Sequence, residues 1–254
     1  MSAGLGRRAA LRLGRVALAV GFGLALWQAL VWVTGLPHFI LPGPGRVAQS
    51  LVDNVAMIAV NARFTIQALL TGLAAGVALG VLTAVQLALS PGARLMVRPL
   101  LIFAQAIPIF ALAPVITLWL GYGAGSKIVI VMLVTYFPVT SAFFDGLMRM
   151  PPGMADLSRV MGAGPLRELW HLRLPQALPA LGSGLRLGAV YAPFGVVIGE
   201  WVGSSRGLGY LMLLANGRAQ TDLMFAALIT LAAFNLVVFL LIDRLARGLE
   251  ARFG

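Results

Sequence analysis

The chain has 254 residues, 60% of them hydrophobic and only 11% charged, with a net charge of +11. Soluble domains carry about 25% charged residues, so this composition excludes an ordinary water-soluble fold and makes lipid the main solvent. Eighteen Arg and one Lys flank apolar runs instead of forming an aromatic-interleaved patch, which argues against nucleic acid, and the lack of Cys rules out disulfides and thiolate metal sites.

A membrane-spanning helix needs about 20 mostly apolar residues. Apolar segments run at about 14–34, 62–89, 98–120, 126–148, 177–199 and 223–243. They are too long and continuous for barrel strands, which alternate. The predicted fold class is an all-α membrane protein with about six transmembrane helices. It forms a single transmembrane domain over 1–254, with a first helix at about 14–34 and a five-helix core over about 62–249.

Arg7, Arg8, Arg12 and Arg15 precede the first segment, which outruns a signal h-region and ends Leu30-Val31-Trp32-Val33 without a small-residue cleavage site. It is expected to be retained, with Trp27 and Trp32 at the far interface. Leu36-Pro37 and Leu41-Pro42-Gly43-Pro44-Gly45 predict a rigid turn, and Ser90-Pro91-Gly92 a tight one. In the second segment Gly72, Gly76 and Gly80 share a face; so do Gly184 and Gly188, then Gly195 and Gly199, in the fifth. Such spacing lets backbones approach closely, inside the bundle or at a dimer seam. Pro108 and Pro114 predict a kinked or broken third segment, either lining a pathway or serving packing.

Six crossings place both termini on one face. That face would carry thirteen arginines, against Arg46, Arg63, Lys127, Arg206 and Arg218 on the other, with Arg186 inside the fifth segment. The positive-inside rule makes the first face cytoplasmic. Arg186 is close enough to that surface to snorkel, and Glu200 reads as a solvated helix terminus at the outer end.

Between the fourth and fifth segments lies a charged island. Pro151-Pro152-Gly153 stops the fourth segment, Met154, Leu157, Val160 and Met161 share a side of a short helix, and Gly162-Ala163-Gly164-Pro165 turns sharply. A second amphipathic stretch, with Leu166, Leu169, Trp170 and Leu172, leads to Leu174-Pro175. Physics alone leaves two readings, an interfacial linker or a knob gripped by a partner.

The spacing Asp156-Leu157-Ser158, Gly162, Leu172, Leu174, Pro175 resembles the cytoplasmic EAA loop of binding-protein-dependent ABC importer permeases, although Asp replaces Glu and two alanines and an isoleucine are missing. The resemblance implies a coupling helix docked on an ATPase, with Asp156 and Arg159 available for pairing and Gly162 allowing the corner. It also implies a bacterial cytoplasmic (inner) membrane location with both termini cytoplasmic. The implied partners are an ATP-binding subunit dimer, an extracytoplasmic substrate-binding protein and a second permease copy. This chain would hold no cofactor of its own, ATP and Mg lying on the ATPase.

Enzymatic readings find little support. Gly121-Tyr122-Gly123-Ala124-Gly125-Ser126-Lys127 lacks the order of a phosphate loop, and His38 and His171 fall on opposite faces. Gln105, Thr117, Thr135, Tyr136 and Tyr191 are polar groups within spanning segments, either lining a path or cross-linking helices. The stretches Tyr191-Ala192-Pro193-Phe194-Gly195, Gly199-Glu200-Trp201-Val202-Gly203 and Gly207-Leu208-Gly209-Tyr210 look like permeases of the sulfonate, nitrate and taurine superfamily. With Asn216-Gly217-Arg218 and Thr221-Asp222-Leu223-Met224 they resemble most the branch importing the thiamine precursor hydroxymethylpyrimidine, with riboflavin and sulfonate branches open. From another class, a secondary transporter would show intramembrane carboxylates and a repeat, and a non-transporting scaffold would bind no ATPase.

Overall fold

Hydrocarbon offers no partner to a free backbone group, so spanning segments must satisfy their own hydrogen bonds. The computed structural model describes residues 2–253, apart from the side chains of residues 2–13, 16, 152, 155 and 159, and among the described residues there is no strand. In chain order the helices are α1 (Ser2–Thr34), α2 (Pro44–Asp53), α3 (Val55–Leu89), α4 (Pro91–Ala106), α5 (Ile109–Leu120), α6 (Ala124–Met148), α7 (Pro152–Val160) and α8 (Pro165–Glu168). A π-helical turn (Leu169–Arg173) then leads into α9 (Leu174–Gly203), followed by α10 (Leu208–Gly217) and α11 (Thr221–Phe253). The side chains of Arg7, Arg8, Arg12 and Arg159 lie outside the described residues.

Five helical stretches are long and apolar enough to cross a membrane, and a sixth crossing is formed if α4 and α5, bent by 101° at their junction, count as one broken span. The packing decides for the broken span. Along α3, Gly72 meets Val131, Gly76 meets Thr135 and Gly80 meets Val139, so numbering rises together and α3 runs parallel to α6. Both helices end at the same side, so α4 and α5 must carry the chain back across the full thickness. The kinked third segment is thus two helices separated at Ile107 and Pro108. Pro108 lacks an N–H and cannot continue α4's ladder, while Pro114 is tolerated inside α5.

The glycine stripes place α6 at the centre. One side of α6 takes Gly72, Gly76 and Gly80 of α3; another takes Gly184, Gly188, Gly195 and Gly199 of α9, which runs antiparallel. The stripes therefore serve contacts inside the bundle, where close backbone approach supplies the van der Waals gain that lipid does not oppose. A core of Leu69, Leu73, Val131, Ala192, Val196 and Val238 joins α3, α6, α9 and α11.

Two expectations need correction. The second segment starts at Val55, two turns before residue 62, and α2 and α10 were not anticipated. Neither short helix is long enough to span, yet Val47 of α2 and Leu208, Leu211 and Ala215 of α10 are buried with Ile58, Ala226 and Leu231 in an outer core. Arg186 also has partners on another helix. Its guanidinium pairs with Asp243 at 2.8 Å and Glu250 at 2.5 Å, tying α9 to α11. Trp27 stacks on Phe225 with centroids 5.7 Å apart, which puts the end of α1 beside the start of α11 and both termini at one end of the bundle.

Candidate functional site

The island is built as a knob. Its first helix, α7, closes with Met161 N–H donating to Leu157 O at 2.9 Å and Ala163 N–H to Ser158 O at 3.0 Å. Gly162 between them has φ 67°, a left-handed value costly for residues with a Cβ. The chain then re-enters helix at Pro165, whose ring suits a first turn.

The second half of the island differs from a separate short helix. From Pro165 to Gly203 the structure is one 39-residue rod. Pro175 has no N–H, and its ring would crowd the carbonyl four residues back. The π-turn resolves this: Leu174 N–H reaches back five residues to Leu169 O, so the proline is absorbed without breaking the rod. Leu172, Leu174 and Pro175, read as a loop ending, thus lie within the rod and are half-buried.

What locks α7 onto the rod was not legible in the loop pattern. Glu168 accepts from Arg173 Nε at 2.7 Å and from Ser158 Oγ at 3.3 Å, bridging both sides of the corner. Ser158 is buried, and Leu169 is buried among Ala84, Leu87, Phe143, Phe144 and Leu147, anchoring the rod to α3 and α6. Arg94 donates to the last carbonyls of α3, Leu87 O and Ala88 O, both at 3.2 Å. Charge at i and i+5 is no ordinary helical pair, so only the π-turn brings Glu168 and Arg173 together.

Away from that anchor the knob is apolar and open. Val160 and Met161 are 86% and 75% exposed, and Leu157, Leu166 and Trp170 are also exposed. Met154, Leu157, Met161 and Leu172 line a cleft of about 410 Å³ between α7 and the rod. Asp156 is exposed on α7. We expect Glu168→Ala to leave insertion unchanged and to loosen α7, measured as faster amide hydrogen exchange at Met161 and Ala163, because α7 loses its tie to the rod.

The path candidates separate into two groups. Gln105 and Tyr191 face one groove of about 390 Å³ at the α4–α5 break, with Ile107, Leu133, Phe137 and Pro138. Gln105 also borders a smaller cavity of about 150 Å³ with Arg98, Ser141 and Asp145. The others are elsewhere. Thr135 is fully buried at the α3–α6 seam, its hydroxyl donating to Val131 O at 3.0 Å, and Tyr136 donates to Thr83 Oγ1 at 3.2 Å. Thr117 is buried on α5.

At the outer end Glu200 is 1% exposed, not the solvated terminus expected. Its carboxylate accepts from the Thr65 hydroxyl at 2.7 Å and Gly209 N–H at 2.6 Å. Lys127, assigned to the outer loops, lies instead in the first turn of α6, where it is buried and donates to Tyr122 O at 2.9 Å and Gly123 O at 2.7 Å.

This architecture has known relatives. Residues 76–251 match the family described as binding-protein-dependent transport system inner membrane component. A probable ABC transporter permease protein of Haemophilus influenzae is 44% identical, covering 92% of this chain and 95% of its own length. The formylaminopyrimidine transport permease protein ThiX of Halalkalibacterium halodurans is 30% identical over 87% of this chain and 89% of its own. The riboflavin transport system permease protein RibX of Chloroflexus aurantiacus is 34% identical over 88% and 84%. Among solved structures, the MetNI methionine ABC transporter in inward-facing conformation matches with a TM-score of 0.57 at 22% identity, covering 82% of this chain and 98% of that one. The chain belongs to the binding-protein-dependent transport system inner membrane component family and is a multi-pass, inner-membrane permease of an ABC importer.

Proposed function

We propose that this permease imports a neutral pyrimidine, with hydroxymethylpyrimidine, the thiamine precursor, as the substrate to test first, and that the 152–175 knob is its coupling helix. The observation carrying the coupling role is the anchored, continuous rod with an exposed apolar tip. A docked ATPase would bury Val160, Met161 and Leu157, and its closure on ATP would push a lever instead of a loose loop. ATP and Mg bind to the ATPase, and this chain contributes no catalytic group. Differential ATP affinity between open and closed ATPase states supplies the driving energy.

The knob face is the basic end of the molecule, so the knob and both termini are assigned to the cytoplasm. Two copies are proposed to face each other across the α4–α5 surface, where α4 has no buried residue and Phe103, Phe110 and Leu118 are exposed. The second copy would close the groove holding Gln105, Phe137 and Tyr191. Two aromatic rings, Phe137 and Tyr191, with one amide among aliphatic side chains suit a flat, uncharged heteroaromatic ring. The ring is of the same type as the formylaminopyrimidine for which the Halalkalibacterium relative is named.

The riboflavin relative at 34% identity supports a second reading, a flavin substrate. Sulfonate, taurine and nitrate substrates fit less well, since Arg186, the cation deep in the rod, is neutralised by Asp243 and Glu250. The test is uptake of labelled hydroxymethylpyrimidine by cells with and without this chain, its ATPase and binding protein present, with riboflavin and taurine as competitors. Chain-dependent uptake resistant to both is expected; uptake abolished by riboflavin would favour the second reading. Absence of uptake would discard the pyrimidine.

A further inference from the structure

The motif Gly199-Glu200-Trp201 and Gly207-Leu208-Gly209 has no place in the coupling knob or the groove, yet it encloses a buried polar cluster of Glu200 and Thr65 at the outer end. Glu200 sits one turn before the end of the same rod that begins at the knob. Its carboxylate takes Thr65 Oγ1–H and Gly209 N–H, while Thr65 Oγ1 in turn accepts from Leu208 N–H at 2.7 Å and Asn61 Oδ1 accepts from Gly207 N–H at 2.8 Å. Three successive N–H groups at the start of α10 are therefore held by side chains of α3 and α9. A helix's first N–H groups have no partner within the helix, and a carboxylate there also meets the positive end of its dipole.

The neighbouring geometry is shaped around that carboxylate. Gly207 has φ 118°, and a Cβ there would overlap the Glu200 carboxyl group; one at Gly209 would lie 2.9 Å from Glu200 Oε2. α10 in turn supplies Leu208, Leu211 and Ala215 to the outer core and, through Leu211, Leu214 and Ala215, a wall of an outer cavity of about 390 Å³ that also includes His38, Arg218 and Asp222. The turn 204–206, exposed at Ser205 and Arg206, would otherwise be a slack joint between the rod and α10.

We propose that Glu200 is a positioning residue that clamps α10 and the outer end of α3 to α9, so that displacement entering at the knob reaches the outer cavity as rigid-body motion. The proposal rests on the coupling role assigned to the knob. A buried carboxyl group that accepts from two donors, one on α3 and one on α10, ties both elements to α9 through a single side chain. Glutamine keeps the size and one acceptor but turns an NH2 toward donors. The clamp loosens without a cavity being opened.

The test uses the full chain assembled with its ATPase in a bilayer. Because the chain has no Cys, it takes spin labels only at Val60→Cys on α3 and Leu213→Cys on α10, both exposed positions, and the ATPase is used with its accessible Cys replaced. With Glu200 intact, one narrow α3–α10 distance is expected, equal in the resting and ATP-vanadate-trapped states. In Glu200→Gln that distribution should broaden, ATPase association and basal hydrolysis should persist, and transport should fall at least ten-fold. Should Glu200→Gln fail to assemble, Asn61→Leu, which removes only the rim acceptor, is expected to give a milder broadening. A narrow distance in the variants, or transport at the original rate, would overturn the clamp. Failure of the coupling role looks different: Gly162→Pro would then transport normally, whatever the α3–α10 distance does.

Discussion

Replacing Gly162 by proline is expected to abolish transport while the protein still inserts and accumulates in the membrane. Proline holds φ near −65°, whereas this corner needs 67°. Proline also drives its predecessor out of the helical region, so Met161 would lose its bond to Leu157 O and the last turn of α7 would open. The knob tip would no longer be aligned with the rod. No Cβ contact lies within 4 Å of Gly162, so the damage is conformational and confined to the corner. Gly162→Ala should cost about 1–2 kcal/mol of left-handed strain and retain part of the activity; Gly162→Asn should do better, since asparagine tolerates this region. Uptake together with membrane fractionation checks the series. Normal uptake by the proline variant would sink the coupling-loop assignment.

The second large effect is expected at Gly76, where loss is of the fold rather than of coupling. A Cβ there would overlap Thr135 Oγ1 and lie 2.7 Å from Met132 O. Overpacking of this kind costs about 1–3 kcal/mol; Gly76→Ala should lower the detergent-solubilised melting temperature and Gly76→Leu should prevent accumulation. Because one obstacle is the Thr135 hydroxyl and the other is backbone, Thr135→Ala should rescue Gly76→Ala in part but never fully. A double-mutant cycle measures this coupling directly. Strict additivity of the two substitutions would mean that α3 and α6 do not meet through this pair.

How much of this was legible varies by feature, for definable reasons. The spanning segments announce themselves because hydrocarbon imposes continuous apolar length, and the break at Pro108 follows from a missing N–H. The glycine stripes marked α3 and α9 as contact helices without naming the partner, α6, since spacing along one helix does not say which neighbour fills the groove. α2 and α10 went unseen because ten-residue helices carry too few residues to separate an outer core helix from a loop. Gln105 and Tyr191 were singled out by polarity and do share a groove, while the same criterion selected Thr135, whose hydroxyl is used by its own helix.

By itself the sequence determined the solvent, the apolar segments, the sided distribution of arginine and the corner at Gly162, because each depends on local length, charge or backbone freedom. Only the tertiary structure decided that α3 runs parallel to α6, that Pro175 lies within an unbroken rod, and that Glu168 and Glu200, near the two ends of that rod, are bonded within the chain. Those outcomes depend on partners up to 135 residues away in sequence, as with Thr65 and Glu200. A carboxylate reads the same on paper whether water or a buried helix end receives it; the enclosing helices determine which.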